Sequence, residues 1–93
     1  MDENALFDAF LAPKTRDEVR RFLTDLCTPA ELRALAERWE VARLLDGENL
    51  SYRAIAARAG ASPTTVVRVA RFLNEMPYKG YRLVLDRKKR RRT

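Results

Sequence analysis

The most constraining feature of this sequence is a glycine followed by a Ser-Pro pair, set between two short apolar patterns. Gly60 can adopt the positive φ that ends a helix. Ser62 and Pro63 can then begin another, as N-cap and first helical residue. On both sides apolar or small residues recur at helical spacing, which predicts two short helices joined by a tight turn. These residues are Ile55, Ala56 and Ala59 before the turn and Val66, Val69, Ala70 and Leu73 after it.

The second predicted helix carries polar and basic side chains away from its apolar stripe. They are Thr64, Thr65, Arg68 and Arg71, and residues 51–74 contain four arginines with no Asp or Glu. This layout is typical of a DNA-reading helix-turn-helix, whose second helix enters the major groove. A plain helical hairpin in a small bundle is the alternative.

The net charge of +6 is by itself weak support for nucleic-acid binding. Six basic residues lie in 87–92, and the rest of the chain has 13 basic and 13 acidic residues. The acids lie mostly in the predicted helices before residue 51. The electrostatic field of the protein should therefore attract a polyanion to the face that carries residues 51–74. We predict that residues 87–93 form a disordered basic tail that binds phosphates non-specifically. A solvated tail without a binding role is the alternative.

Three helices are predicted ahead of the helix-turn-helix. The first occupies residues 2–12. The second and third each begin with a capping-box pattern, a Thr followed three residues later by Glu, at Thr15 and Thr28. The third extends to about Asp46, with Gly47 as the residue that closes it. Its inward side chains are expected to be Leu32, Leu35, Ala36, Trp39 and Leu44 or Leu45.

The first two helices are too short to be stable alone in water. A chain of 93 residues buries only a modest core. Their apolar stripes therefore need a partner surface, from this chain or from a second copy. The stripes consist of Leu6, Phe7, Phe10, Leu11, Val19, Phe22, Leu23 and Leu26.

The segment after the helix-turn-helix begins with residues that break a helix. Residues 76–80 contain Pro77 and Gly80 and should interrupt the helix. Tyr81, Leu83, Val84 and Leu85 form a short apolar piece, which is interpreted as a final helical turn rather than a strand. Residues 1–86 are thus expected to form one domain.

Catalysis and metal binding find little support in the residues. The chain has no histidine, one cysteine, no phosphate-binding glycine loop and no carboxylate pair in an apolar setting. We therefore expect no enzyme activity, no metal and no cofactor. Cys27 alone fits a reducing compartment, and neither a signal peptide nor a membrane span is indicated, so we expect a cytoplasmic protein associated with the nucleoid. A non-catalytic module that binds protein or RNA is the remaining alternative.

Three segments carry a resemblance to a known family: DLCTPAEL in 25–32, the GAS turn in 60–62 and GYRLVLDR in 80–87. With them, about residues 6–86 resemble the bacterial YerC/YecD family of the tryptophan repressor superfamily. The resemblance implies an all-α fold of about six helices that forms an intertwined homodimer. The N-terminal helices would wrap around the partner, and the two recognition helices would enter successive major grooves of double-stranded DNA.

The resemblance also implies which side chains meet DNA. The matching positions are Arg53 in the first helix of the motif and Pro63, Thr64, Thr65 and Val67 in the second. Thr64, Thr65 and Arg68 are expected to contact bases, and Arg53 and Arg71 phosphates. An ion pair of Arg68 with Glu37 or Glu40 is the alternative for that side chain. The predicted DNA-binding set is Arg53, Ser62, Pro63, Thr64, Thr65, Val67, Arg68 and Arg71.

The residues of this chain match the ligand site of the superfamily only in part. Tryptophan-binding members place two arginines around the ligand, and Arg38 and Arg68 match them. Positions that are Gly and Ser in those members correspond here to Val69 and Phe72, whose side chains would fill the ligand space. The expectation is therefore a transcriptional regulator, a repressor, that does not respond to tryptophan.

Overall fold

Six α-helices and no strand make up the part of the chain that the computed structural model describes, residues 2–47 and 49–91. The predicted all-α fold is confirmed. The helices form two compact units, Met1–Arg33 and Ala34–Thr93. In chain order they are α1 (Glu3–Ala9), α2 (Arg16–Leu26), α3 (Pro29–Gly47), α4 (Tyr52–Ala59), α5 (Pro63–Asn74) and α6 (Gly80–Arg91).

The starts of α2 and α3 are fixed by the threonines that the sequence indicated. Thr15 Oγ1 accepts a hydrogen bond from the Glu18 N–H at 3.1 Å. At α3 the pattern is reciprocal: Thr28 Oγ1 accepts from the Glu31 N–H at 3.1 Å, and the Glu31 carboxylate accepts from the Thr28 N–H at 2.8 Å. Both pairs satisfy N–H groups that a helix start leaves without an intrahelical partner.

The first unit contains aromatic contacts but no buried residue in α1 or α2. The rings of Phe10 and Phe22 meet edge to face, with centroids 5.4 Å apart and an interplanar angle of 79°. Helix α1 ends at Ala9, earlier than residue 12, and Phe7 remains 57% exposed. The stripe of α2 forms as predicted, whereas Phe10 and Leu11 of the first stripe lie beyond the end of α1. Both stripes are left largely uncovered within one chain.

The core of the second unit gathers against the C-terminal half of α3. Leu35 was expected to point inward but is 44% exposed. That expectation is wrong for the single chain, because the buried residues of α3 begin only at Val41. Trp39 is half-buried against this core. The buried apolar residues are Val41, Ala42, Leu44, Ile55, Ala56, Val66, Val69, Ala70, Leu73 and Leu85.

Helix α6 includes most of the segment expected to be disordered. It continues through Arg91, so residues 87–91 are helical where a disordered tail was expected, while 92–93 lie outside the described residues. The predicted helical turn over residues 81–85 is part of this longer helix.

One carboxylate gives the physical reason for this continuation. Asp46, with a side chain only 10% exposed, accepts hydrogen bonds from Lys89 Nζ at 2.6 Å and Arg82 Nη2 at 2.7 Å. The two cations lower the pKa of the Asp46 carboxyl, Lys89 more than Arg82. This pairing offsets part of the repulsion within the basic segment, and cations near a helix C-terminus also interact favourably with the helix dipole.

Candidate nucleic-acid interface

The turn between α4 and α5 has the geometry that its glycine predicts. The hydroxyl of Ser51 caps α4 by accepting from the Ala54 N–H at 3.1 Å. Gly60 ends α4 with φ 67° and ψ 29°, a left-handed conformation that residues with a Cβ rarely adopt. The Ala61 N–H then donates to the carbonyl of Ala56 at 3.0 Å. Ala56 is 7% exposed, as expected for a small residue where the two helices pack.

The start of α5 is equally well defined. Ser62 Oγ accepts from the Thr65 N–H at 3.1 Å, and Pro63 is the first helical residue. The Thr65 hydroxyl lies 3.0 Å from Ser62 Oγ, and either oxygen can donate. In both arrangements one of the two hydroxyl protons stays available for another acceptor. Thr65 is half-buried, whereas Thr64 is exposed.

Burial divides α5 into two faces. Val66, Val69, Ala70 and Leu73 are buried in the second unit. The opposite face is exposed and follows the same three- and four-residue spacing. Its members are Thr64, Val67 (58% exposed), Arg68 and Arg71, all from the predicted set.

Helix α4 adds exposed side chains at its first turn. Arg53 is exposed, as its predicted phosphate contact requires. Its neighbour Tyr52 is 49% exposed and was not singled out from the sequence. A tyrosine hydroxyl can donate to a phosphate. The signal that could have found Tyr52 is its position directly after the Ser51 cap of an acid-free segment.

Arg68 has an aromatic partner instead of the carboxylate considered from the sequence. Its guanidinium carbon lies over the ring of Phe72, 4.5 Å from the centroid. Glu40 accepts from Arg43 through both carboxylate oxygens, at 3.1 Å each. Within the described residues Arg68 makes no ion pair with Glu37 or Glu40, so that alternative is not supported.

The positions that match the superfamily's ligand site are occupied by side chains. Val69 is fully buried in the core of the second unit. Phe72 is half-buried and borders a shallow, mainly apolar pocket with Tyr78, Lys79, Gly80 and Tyr81. Arg38 is half-buried on α3.

Residues 2–47 and 49–91 contain neither a candidate metal site nor a membrane-spanning helix. Within them, no group of three or more His, Cys, Asp or Glu side chains is arranged to hold a metal ion. None of the helices found there combines the length and the apolar character needed to cross a bilayer.

Comparison with known proteins agrees with this geometry. Residues 2–89 match the family model described as Trp repressor protein. The chain is 43% identical over 88 residues to the Bacillus subtilis protein YerC, described as uncharacterized, and the match covers 95% of this chain and 83% of that protein.

Two solved structures are also similar. One is a Staphylococcus aureus protein described as a candidate Trp repressor, with TM-score 0.86 and 36% identity over 92% of this chain and 84% of that chain. The other is a TrpR-like protein from Eubacterium eligens, with TM-score 0.85 and 41% identity over 92% of this chain and 87% of the other. These matches confirm the resemblance derived from the sequence. The chain belongs to the Trp repressor family, with YerC-type members among its relatives.

Proposed function

We propose that this chain is a sequence-specific DNA-binding transcriptional regulator, a repressor, that reads duplex DNA with α5. The observation that carries the proposal is the exposed stripe Thr64, Val67, Arg68 and Arg71 on a helix whose opposite face is buried. The rest of the α4–α5 segment adds arginines but no acid. A duplex can therefore approach this face without meeting a carboxylate of the same segment.

The roles within the interface follow from position. Thr64 lies in the first turn of α5, the end that enters the major groove in a helix-turn-helix. Its hydroxyl can bond a base edge, and its methyl group can contact thymine, as can the side chain of Val67. Arg53, Arg71 and Tyr52 are assigned to the phosphates, where they orient the protein without selecting a sequence.

We propose further that the regulator is a homodimer. Support comes from the first unit, in which α1 and α2 bury no residue although they carry large apolar side chains. Phe7 of α1 is 57% exposed and Leu26 of α2 is 48% exposed. A partner copy that covers these stripes would complete a core that one chain lacks, and a two-fold dimer would present two α5 helices to a palindromic site.

Tryptophan is not proposed as the effector. Val69 is buried at one of the ligand-matching positions, and Phe72 at the other lies against Arg68. A ligand would have to displace a core side chain and break the Arg68 contact. We therefore propose that DNA binding does not depend on tryptophan.

Selection from a pool of random duplexes with the purified protein tests the function. We expect enrichment of a palindrome and an affinity that falls steeply with salt, because phosphate contacts release counterions. The matched control is the variant Thr64→Ala, Arg68→Met, which keeps the fold of α5 but should lose the preference. A protein-binding module would show neither enrichment nor a steep salt slope, and a preference for structured RNA over duplex DNA would favour the RNA-binding alternative.

A further inference from the structure

The contact between Arg68 and Phe72 joins an exposed side chain of the proposed interface to a half-buried one. The residues are four apart on α5, and the guanidinium carbon lies 4.5 Å from the ring centroid. Because side chains on a helix lean toward its N-terminus, the Phe72 ring reaches back over the turn that carries Arg68. The half-buried ring of Phe72 is therefore less free to move than the exposed side chain of Arg68, and it is the ring that holds the guanidinium.

At a centroid distance of 4.5 Å the guanidinium can stack on the ring through its face, which leaves its edges free. The N–H donors of arginine lie in the plane of the group, so a guanidinium resting on a ring can still direct them toward a phosphate or a guanine. An arginine side chain has about 2 kcal/mol of rotamer entropy when free. A contact that already limits those rotamers lowers the entropic cost of forming a contact with DNA.

We propose that Phe72 is a positioning residue for DNA binding: its ring holds the Arg68 guanidinium in the orientation used to contact DNA. The inference rests on the proposed function, since it assigns a role within the same interface. Phe72 itself touches no DNA. It acts only through Arg68, and this distinguishes it from residues that bind phosphates or bases directly.

A double-mutant cycle on operator binding tests the proposal. The variants are Phe72→Leu, which keeps an apolar side chain but removes the ring, Arg68→Met, which keeps the length but removes the guanidinium, and the two combined. Phe72→Leu should weaken binding about two- to fivefold, the range of an exposed cation–π contact. In the Arg68→Met background the same change should have no effect. Phe72→Tyr, which retains the aromatic face, should restore most of the affinity.

Two further readouts separate this role from a structural one. In the free protein, NMR should show Arg68 side-chain protons shifted upfield by the ring current, with the shift lost in Phe72→Leu and kept in Phe72→Tyr. Thermal unfolding reports whether Phe72→Leu remains folded. If Phe72→Leu is unfolded, the chemical shift of Arg68 in the wild type and in Phe72→Tyr still shows whether the ring contacts Arg68 in the free protein.

The outcomes are distinct from those that test the function itself. Absence of any selected duplex would overturn the proposed function. A selected duplex with Phe72→Leu equally harmful in both Arg68 backgrounds would overturn only the positioning role, as would an unshifted Arg68 in the wild type. Coupling between the two positions, with rescue by tyrosine, would establish it.

Discussion

The ammonium nitrogen of Lys89 lies 2.6 Å from Oδ2 of Asp46, so the basic end of α6 is bound to the last turn of α3. Arg82 occupies the other carboxylate oxygen at 2.7 Å and also donates to Asp86 at 3.1 Å. A carboxylate at the C-terminal end of a helix is unfavourable beside the helix dipole. Two cations reverse that effect here, so Asp46 links α6 to the end of α3, in addition to the buried Leu85 of α6.

Replacement of Asp46 by Asn should therefore destabilise the protein. The expected loss is about 1.5–3 kcal/mol, the range for hydrogen bonds to a charged group. Asp17→Asn is the matched control, because Asp17 pairs with Arg20 on an exposed part of α2 and its loss should cost about 0.5 kcal/mol or less. Denaturant unfolding measures both, and equal losses would contradict the assigned role of Asp46.

The same pair predicts a dependence on pH. The pKa of Asp46 is held below its ordinary value of 3.8, first by Lys89 and then by Arg82. Because the folded-state pKa is the lower one, the stabilisation is complete above about pH 5 and is lost as the pH falls through the folded-state pKa. The difference in unfolding free energy between wild type and Asp46→Asn should thus shrink below pH 3.8. A difference that is unchanged at pH 3 would contradict this.

The exposed cations of α6 should add affinity for DNA without adding sequence preference. Arg87→Gln with Lys88→Gln leaves Lys89 on Asp46 and keeps the helix anchored. If both side chains contact phosphates, all duplexes should bind more weakly by a similar factor, and the salt slope should fall by about 1.8. Lys14→Gln with Arg33→Gln removes the same charge from the first unit and is the control. Binding to random DNA that responds equally to both double variants would indicate a general charge effect.

Sequence preference should depend on the first turn of α5. Thr64→Ala should relax the preference at individual base pairs by about 1–3 kcal/mol. Thr65→Ala should do the same, although it also removes the hydroxyl contact with Ser62. Arg53→Ala and Arg71→Ala should instead weaken specific and non-specific DNA together. Competition binding to operator variants measures this, and a Thr64→Ala, Thr65→Ala protein that selects the same sites would refute the assignment.

The exposed stripe of α1 should become buried in the proposed dimer. Phe7→Ala is expected to destabilise by up to about 3–5 kcal/mol, the range for a buried phenylalanine. Val67 is as exposed in the single chain, 58% against 57% for Phe7, but lies on the DNA-facing side of α5, so Val67→Ala should have little effect on stability. Wild-type melting temperature should rise with protein concentration. A folded monomer at micromolar concentration in light scattering would contradict the dimer.

Tryptophan at millimolar concentration should change neither the melting temperature nor the affinity for the selected duplex. A ligand that binds only the folded state must raise stability by mass action. Val69 and Phe72 occupy the positions where such a ligand would lie. A saturable rise of the melting temperature with tryptophan would refute this expectation and make the regulator ligand-dependent.

The sequence by itself determined the parts of the fold that depend on neighbouring residues. Gly60 indicated the left-handed end of α4, and Ser62 with Pro63 indicated the start of α5. Thr28 and Glu31 indicated the start of α3. Each of these features involves hydrogen bonds or backbone angles within a few residues, so the local pattern contains all the groups that take part. The buried face of α5 followed for the same reason, since helical periodicity alone places Val66, Val69, Ala70 and Leu73 together.

The tertiary structure decided which partners the long charged side chains take. Residues 87–91 look self-repelling in sequence, and they are helical because α6 meets Asp46, which is 36 residues from Arg82 along the chain. The sequence left open an ion pair of Arg68 with Glu37 or Glu40, but Arg68 contacts the ring of Phe72, while Glu40 is held by Arg43. Such alternatives differ by about 1 kcal/mol or less at an exposed site. Sequence spacing cannot rank interactions whose energies are so similar. The fold decides between them, because it determines which groups are within reach.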